Sequence, residues 1–258
     1  GGGAYTHMTI LAENNQGLAN LFRLSSLASL EGYYYKPRMD RELISRHADG
    51  LIATTGCPGG EIQTRLRMGN YREALRAASD YRDIFGANNF FLEIMDHDID
   101  VENRVKADLL KLGKELKLPL LATNDLHYTR HEDAAAHAAL LCVQSGTTLA
   151  DPKRFKFDND EFYLKTPAQM RELFKELPES CDNTLLIAER CNVKLRENEN
   201  LLPAFPVPQG ETEDSWLRKE SVRGLLEKMG DRATEEYRTR INYELDVMAN
   251  MGFPGYFL

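Results

Sequence analysis

Short apolar runs alternate with amphipathic stretches over the first two-thirds of the chain. The runs at 8–12, 51–55, 90–95 and 119–123 predict four strands. Apolar residues recur at helical spacing after the first run, and further stretches predict helices near 40–49, 61–68, 71–85, 100–117 and 131–144. Continuous apolar strands separated by helices indicate parallel pairing with both sheet faces covered. We therefore expect an α/β fold, either barrel-like or doubly wound.

The pattern changes after about residue 190. The segment 192–210 contains Pro203, Pro206 and Pro208 and shows no helical period, so it predicts a connector. Two amphipathic helices are expected beyond it, at about 213–229 and 234–251. We therefore predict an α/β domain over 1–190 and a helical segment over 191–258 that begins something else.

Composition narrows the function classes. The 258 residues carry a formal charge of -8, the wrong sign for a module that holds nucleic acid by its overall field. Four cysteines without a CxxC pair, and no apolar run of membrane-spanning length, favour a cytoplasmic protein that does not enter a membrane. No phosphate-binding glycine motif follows any predicted strand. Both ends look cut, since the chain lacks an initial Met and stops within an aromatic-rich segment.

Candidate chemistry lies just beyond two predicted strands. Cys57 follows the 51–55 run, and Asp125 and His127 follow the 119–123 run. Side chains beyond the carboxyl ends of parallel strands converge on one face, and a spacing of two puts Asp125 and His127 on the same side of an extended backbone. Thiolate, carboxylate and imidazole together are ligands that Zn²⁺ accepts. The sequence thus predicts a zinc-type site, and the competing interpretation is a buried cysteine, a helix cap and a surface imidazole.

Other residues leave alternatives open. His97 follows the 90–95 run and is a further candidate for the same face. His7 precedes its apolar run, so the strand-end argument leaves it at the surface. Cys57 as a nucleophile with His127 as base is a weaker chemical hypothesis, because no third orienting group is evident.

Several motifs occur in an order that resembles the alpha-subunit family of bacterial DNA polymerase III. They are the segments 5–12, 55–61, 122–128, 139–146, 155–165, 203–208 and 243–258. The likeness spans nearly the whole chain, and the chain resembles actinobacterial-type sequences. It implies a PHP domain, a distorted β/α barrel whose amino-terminal strands are missing here, followed by a connector into the polymerase palm.

The resemblance also implies a ligand set. His7, Cys57, Asp125 and His127 match four of the family's nine metal-binding positions, which brings His7 into the site, and the remaining ligands are expected upstream of Gly1. The implied activity is 3′–5′ exonuclease proofreading by several Zn²⁺ ions, with Asp125 and His127 as catalytic residues. Polymerisation with Mg²⁺ would use palm residues beyond Leu258, so this fragment alone would be inactive.

Implied partners are primer–template DNA, a sliding clamp and other replisome subunits. Two alternatives are kept. In the first, the PHP domain is only a non-catalytic scaffold of the polymerase. In the second, the chain is a stand-alone PHP phosphoesterase, which the segment after residue 200 disfavours.

Overall fold

The computed structural model describes residues 5–197, 199 and 201–258. It divides into two compact units, Gly1–Lys194 and Leu195–Leu258. No helix among the described residues combines the length and apolar character needed to cross a bilayer.

The first unit contains one mixed sheet, which is not closed over the described residues. Its strands are β1 (Ile10–Ala12), β2 (Leu51–Thr54), β3 (Phe90–Ile94) and β4 (Leu120–Ala122), in the order β1-β2-β3-β4. The pairs β2–β3 and β3–β4 are parallel, as expected. The α/β class is confirmed.

The expectation of parallel pairing is wrong for β1, which pairs antiparallel with β2. The connection between them leaves β1 and enters β2 at the same end of the sheet. Ala12 at the end of β1 is opposite Leu51 at the start of β2, and the amide of Glu13 donates to the carbonyl of Gly50 at 2.9 Å. The two strands therefore form a long, helix-containing hairpin, which the sequence pattern does not distinguish from a crossover.

Eight helices in the described part of this unit surround the sheet. They are α1 (Asn15–Leu30), α2 (Arg41–Arg46), α3 (Glu61–Arg67), α4 (Tyr71–Phe85), α5 (Asp100–Leu116), α6 (Ala134–Ser145), α7 (Pro167–Leu173) and α8 (Pro178–Arg190). Asn14 and Asp40 cap α1 and α2 by accepting from the backbone amides of Gly17 and Leu43. A short 3₁₀ turn, His131–Asp133, precedes α6.

The strands β2 and β3 are at the centre of the core and are buried along their whole length. On one face, Phe90 and Leu92 pack with the small residues of α4 and with Leu112 of α5. On the other face, Ile52 and Phe91 pack against Ile187 of α8. Both faces are covered, as the continuous apolar runs predict.

The second unit is helical. The residues described between Leu195 and Thr212 form no regular element, and α9 (Glu213–Met229), α10 (Glu235–Asn250) and α11 (Pro254–Phe257) follow. Thr212 caps α9 through a hydrogen bond from the amide of Ser215. Among the described residues of this unit, Leu217 of α9, Leu245 of α10 and Pro254 of α11 are buried.

Candidate metal centre

The antiparallel pairing of β1 carries His7 to the loop that holds Cys57. Because β1 runs against β2, the residues before β1 lie beside the residues after β2. The His7 amide donates to the carbonyl of Gly59 at 3.3 Å, and His7 forms an isolated β-bridge with Gly60. The position of His7 before its apolar run predicts a surface location only if β1 is parallel to its neighbour, and β1 is antiparallel. The His7 side chain is exposed, but it faces this loop.

His7 and Cys57 both lie close to the backbone of Gly59. A Cβ atom built on Gly59 would lie 3.4 Å from His7 Nδ1 and 3.6 Å from Cys57 Sγ. The Gly59 amide also donates to Cys57 Sγ at 3.4 Å, which favours negative charge on the sulfur. His7 Nδ1 and Cys57 Sγ thus lie next to a space at Gly59 that any larger residue would fill with its side chain.

Asp125 and His127 form a second pair after β4. Their Oδ1 and Nδ1 atoms are 4.0 Å apart, and each side chain is 35% exposed. His127 Nδ1 donates to the Asp125 carbonyl at 2.6 Å, and this contact does not use the second ring nitrogen, Nε2. Asp125 has a φ of 41°, so the backbone is left-handed here rather than extended as the two-residue spacing suggested.

The segment 159–163 fixes the backbone around this pair. The Asn124 side-chain amide donates to the carbonyls of Glu161 and Tyr163 at 3.0 and 2.7 Å. The His127 amide donates to the Phe162 carbonyl at 2.9 Å. The His127 ring also meets Phe157 edge-on, with ring centroids 4.6 Å apart. The backbone that carries Asp125 and His127 is therefore held in place before any ligand binds.

An electrostatic effect links the two pairs. Burial raises the pKa of the Cys57 thiol, and the negative charges of Asp125 and Glu93 raise it further. The charge of Asp125 thus acts on the sulfur from the neighbouring loop. Without a metal ion, the raised pKa argues against Cys57 as a nucleophile, since the thiolate is the reactive form, whereas a bound zinc ion would itself favour the thiolate.

Glu93 is a buried carboxylate that sequence reasoning missed. It lies in β3 at 4% exposure and accepts hydrogen bonds from Thr54 Oγ1 at 2.5 Å and Thr123 Oγ1 at 2.7 Å. These hydroxyls come from the last residue of β2 and the residue after β4, so Glu93 in β3 links the two strand ends that Cys57 and Asp125 follow. The signal in the sequence is one charge inside the apolar run Phe90–Ile94.

His97 is a buried residue that contacts the backbone next to Asp125. It is 1% exposed, its Nδ1 lies 2.6 Å from Glu102 Oε1, and its Nε2 lies 2.9 Å from the carbonyl of Asn124. Burial lowers the pKa of His97, but the contacts with Glu102 and Asn124 outweigh burial, and the net pKa is raised. Both nitrogens are occupied, so His97 positions the Asn124 backbone and does not face a metal.

The donor chemistry fits a metal site in two halves. Imidazole and thiolate meet at Gly59, and carboxylate and imidazole meet after β4, which are zinc-type donors. No group of three or more His, Cys, Asp or Glu side chains within the described residues is arranged to hold one metal ion. The structure therefore brings the four predicted ligands together as two pairs rather than as one cluster.

Comparison with known proteins defines the class first. The family model "PHP domain" matches residues 2–97, and "Bacterial DNA polymerase III alpha NTPase domain" matches residues 215–258. Domains of the PHP class are metal-dependent, generally with zinc. The first match covers β1 to β3, His7 and Cys57.

Relatives then define the family. The chain is 53% identical over 261 residues to "DNA polymerase III subunit alpha" of Mycobacterium leprae and 54% identical over 263 residues to that of Saccharopolyspora erythraea. Identity to the Thermus aquaticus protein of the same name is 38% over 315 residues. The chain belongs to the family of bacterial DNA polymerase III alpha subunits. The matches to the first two cover 100% of this chain and 22% of the relatives' length.

Proposed function

We propose that this chain contributes a PHP metal centre that hydrolyses the 3′-terminal phosphodiester bond of DNA, within a replicative polymerase alpha subunit. The proposed ligands are His7, Cys57, Asp125 and His127. The observation that carries the proposal is the approach of His7 Nδ1 and Cys57 Sγ to one point over Gly59. A nitrogen and a sulfur donor next to one open space are a zinc-type arrangement.

The residues have separate roles in this proposal. Bound zinc ions would lower the pKa of a coordinated water and offset charge on the scissile phosphate. His7 and Cys57 hold one side of the centre, and the Gly59 amide stabilises the sulfur as an anion. Asp125 and His127, which we propose as the catalytic residues, lie on the other side. Nε2 is the ring nitrogen of His127 that we propose as the metal ligand, because Nδ1 donates to the Asp125 carbonyl.

The activity of the whole protein is also a proposal. The relatives are named as polymerase subunits, so we infer DNA polymerisation by the complete polypeptide, with Mg²⁺ at a site outside this chain. Primer–template DNA, a sliding clamp and other replisome subunits are the proposed partners, and the cytoplasm is the proposed location. We assign residues 1–190 to the PHP domain and 191–258 to the connector and first helices leading to the palm.

The test uses the complete polypeptide that contains this chain. Cys57→Ser and Asp125→Asn are expected to lower bound zinc and to reduce 3′–5′ hydrolysis of an end-labelled single strand by about 100-fold. Metal content is measured by mass spectrometry, and hydrolysis by gel electrophoresis. Matched controls are Cys191→Ser, at the end of α8, and Asp158→Asn, an exposed carboxylate in the segment after α6.

Polymerisation measured on the same samples reports whether each variant is folded. If hydrolysis persists in both variants while zinc is lost, the exonuclease proposal fails. The PHP unit would then be a scaffold of the polymerase. If the controls lose zinc as well, the ligand assignment fails.

A further inference from the structure

An aromatic and basic surface lies between α1 and α2. It consists of Tyr5, Tyr33, Tyr34, Tyr35, Lys36 and Arg38. Tyr33, Tyr34 and Tyr35 are 63%, 61% and 80% exposed. Three consecutive tyrosines with that exposure contribute little to the core, although each carries a large apolar ring. Their conformation is nevertheless defined by specific contacts.

Cations hold several of these rings. The Arg38 guanidinium lies 4.8 Å from the centre of the Tyr34 ring and 5.4 Å from the centre of the Tyr5 ring. Lys36 Nζ lies 6.0 Å from the Tyr5 centre. The Tyr34 and Tyr35 rings meet edge-on, with centroids 4.7 Å apart. Each cation covers part of a ring and leaves other faces open to solvent.

The backbone beneath the rings is equally well defined. Arg38 Nη2 donates to the Tyr34 carbonyl at 2.6 Å, and the Tyr34 amide donates to the Lys36 carbonyl at 3.1 Å. Tyr35 has a φ of 60°, a left-handed conformation that is costly for a residue other than glycine. A strained turn that presents exposed rings indicates a binding role rather than a packing role.

A cavity of about 720 Å³ is lined by part of this surface and by His7, and the Tyr5 and His7 rings stack with centroids 6.0 Å apart. Tyr5, Lys36 and Arg38 line one part of it, and His7 and Thr55 line another. Arg41 also lines it, at the start of α2. The nearby acidic groups are already engaged, since Asp40 caps α2 and Glu61 accepts from Arg41, Arg65 and Tyr81. A ligand in this cavity therefore meets rings and positive charge on its way to His7.

We propose that the aromatic and basic surface binds the unpaired 3′ end of a DNA strand and guides it to the metal centre. Unpaired bases have free faces that stack on tyrosine rings without regard to sequence, and Lys36 and Arg38 supply positive charge for the phosphates. This inference rests on the proposed exonuclease function, because it assigns the substrate path of the same site.

Photo-crosslinking of the complete polypeptide tests the proposal. The probe is a single-stranded oligothymidylate with 5-iododeoxyuridine as the second base from the 3′ end, irradiated in the presence of EDTA so that no hydrolysis occurs. We expect a crosslink in the tryptic peptide 24–38, which contains the three tyrosines. Tyr34→Leu with Tyr35→Leu is expected to reduce that crosslink by about tenfold or more, while Tyr34→Phe with Tyr35→Phe retains it, because stacking needs the ring and not the hydroxyl.

The outcomes separate this proposal from the function on which it rests. Crosslinking outside peptide 24–38 only, or equal crosslinking of the Leu and Phe variants, overturns the strand-binding surface even if hydrolysis is observed. Equal crosslinking of a fully paired duplex also overturns it, since paired bases offer no free faces. A crosslink that depends on the rings supports it even if the protein never hydrolyses DNA. Where hydrolysis is observed, a raised KM with little change in kcat for the Leu variant is the supporting result.

Discussion

At the scale of single residues, the His7–Cys57 pair depends on the missing side chain of Gly59. A methyl group at this position would lie at ordinary van der Waals distances from His7 Nδ1 and Cys57 Sγ, so the fold should tolerate it. It would also occupy the space between the two donors. We therefore expect Gly59→Ala to weaken zinc binding by about tenfold or more without changing the melting temperature. Isothermal titration with zinc measures the effect.

Gly224→Ala is the matched control, because an added Cβ there meets no atom of the described residues within 4 Å. It should bind zinc as the wild type does. Wild-type affinity in Gly59→Ala would mean that the metal does not sit between His7 and Cys57.

Glu61 at the start of α3 organises the floor of the cavity. Its carboxylate accepts from Arg41 at 2.8 Å, from Arg65 at 2.7 Å and from the Tyr81 hydroxyl at 2.9 Å. Glu61→Gln removes the charge that these donors share, and we expect it to lower the free energy of unfolding at pH 7 by about 2 kcal/mol. Urea titration measures the loss. Glu73→Gln, which affects a more exposed carboxylate 3.4 Å from Arg65, should change stability by less than about 0.5 kcal/mol.

The effect of Glu61 depends on pH. Burial raises the pKa of Glu61, but the hydrogen bonds from Arg65 and Tyr81 and the charge of Arg41 outweigh burial and lower the net pKa. A carboxyl with a lowered folded-state pKa stabilises the fold above its unfolded pKa, and this contribution is lost as pH falls through the folded pKa. The difference between wild type and Glu61→Gln should thus be constant near neutrality and shrink below about pH 4.3. A difference that grows on acidification would contradict this account.

How far the site was predictable differs from residue to residue. Cys57, Asp125 and His127 could be proposed from strand ends alone, since polar residues directly after buried strands are a local signal. His7 could not, because its position depends on the direction in which β1 pairs. Glu93 and His97 are supporting residues whose roles depend on distant partners, Thr54 at 39 positions and Asn124 at 27 positions away.

At the scale of elements, α1 and the start of β2 meet at two glycines. A Cβ on Gly17 would lie 1.8 Å from the carbonyl oxygen of Gly50, a backbone atom that no rotamer change can move. Gly17→Ala must therefore separate α1 from the turn before β2, and we expect a loss of about 3 kcal/mol. Hydrogen exchange should rise in peptides from both elements.

Gly224→Ala in α9 makes the same chemical change where space is open, and there it should increase helix protection slightly, because alanine favours the helix by about 0.5–1 kcal/mol. Unchanged exchange around α1 in Gly17→Ala would show that the two backbones are not in close contact.

Helix positions follow from the sequence where amphipathic periodicity is long. The ranges 71–85 and 213–229 agree with α4 and α9 at both ends. The helices α7 and α8 were not predicted, although Thr166 with Gln169 forms a capping box and Pro178 begins α8. Both helices are shorter than α4 and α9, at 7 and 13 residues, so their caps are the clearer signal. Strand direction was the main error, because local hydrophobicity does not encode which end of a strand a connection returns to.

At the scale of the whole molecule, the proposed metal centre would link segments that are far apart in the chain. His7 precedes β1, Cys57 follows β2, and Asp125 and His127 follow β4. A metal that binds all three segments in the folded state but not in the unfolded state stabilises the fold by mass action. The division into units at Lys194 places all four proposed ligands within the first unit. Metal should therefore stabilise that unit specifically.

Removing the metal from the complete polypeptide tests this linkage. At free zinc about 100 times the Kd, binding contributes about 2.7 kcal/mol, so chelation should lower the melting temperature of the first unit by about 5–10 °C. Cys57→Ser should melt at the lower temperature whether or not EDTA is added, whereas Cys191→Ser should respond as the wild type does. Differential scanning calorimetry with and without EDTA measures the shifts. If EDTA lowers the melting temperature of Cys57→Ser and wild type equally, the stabilising ion lies elsewhere, and the strand ends described here do not form its site.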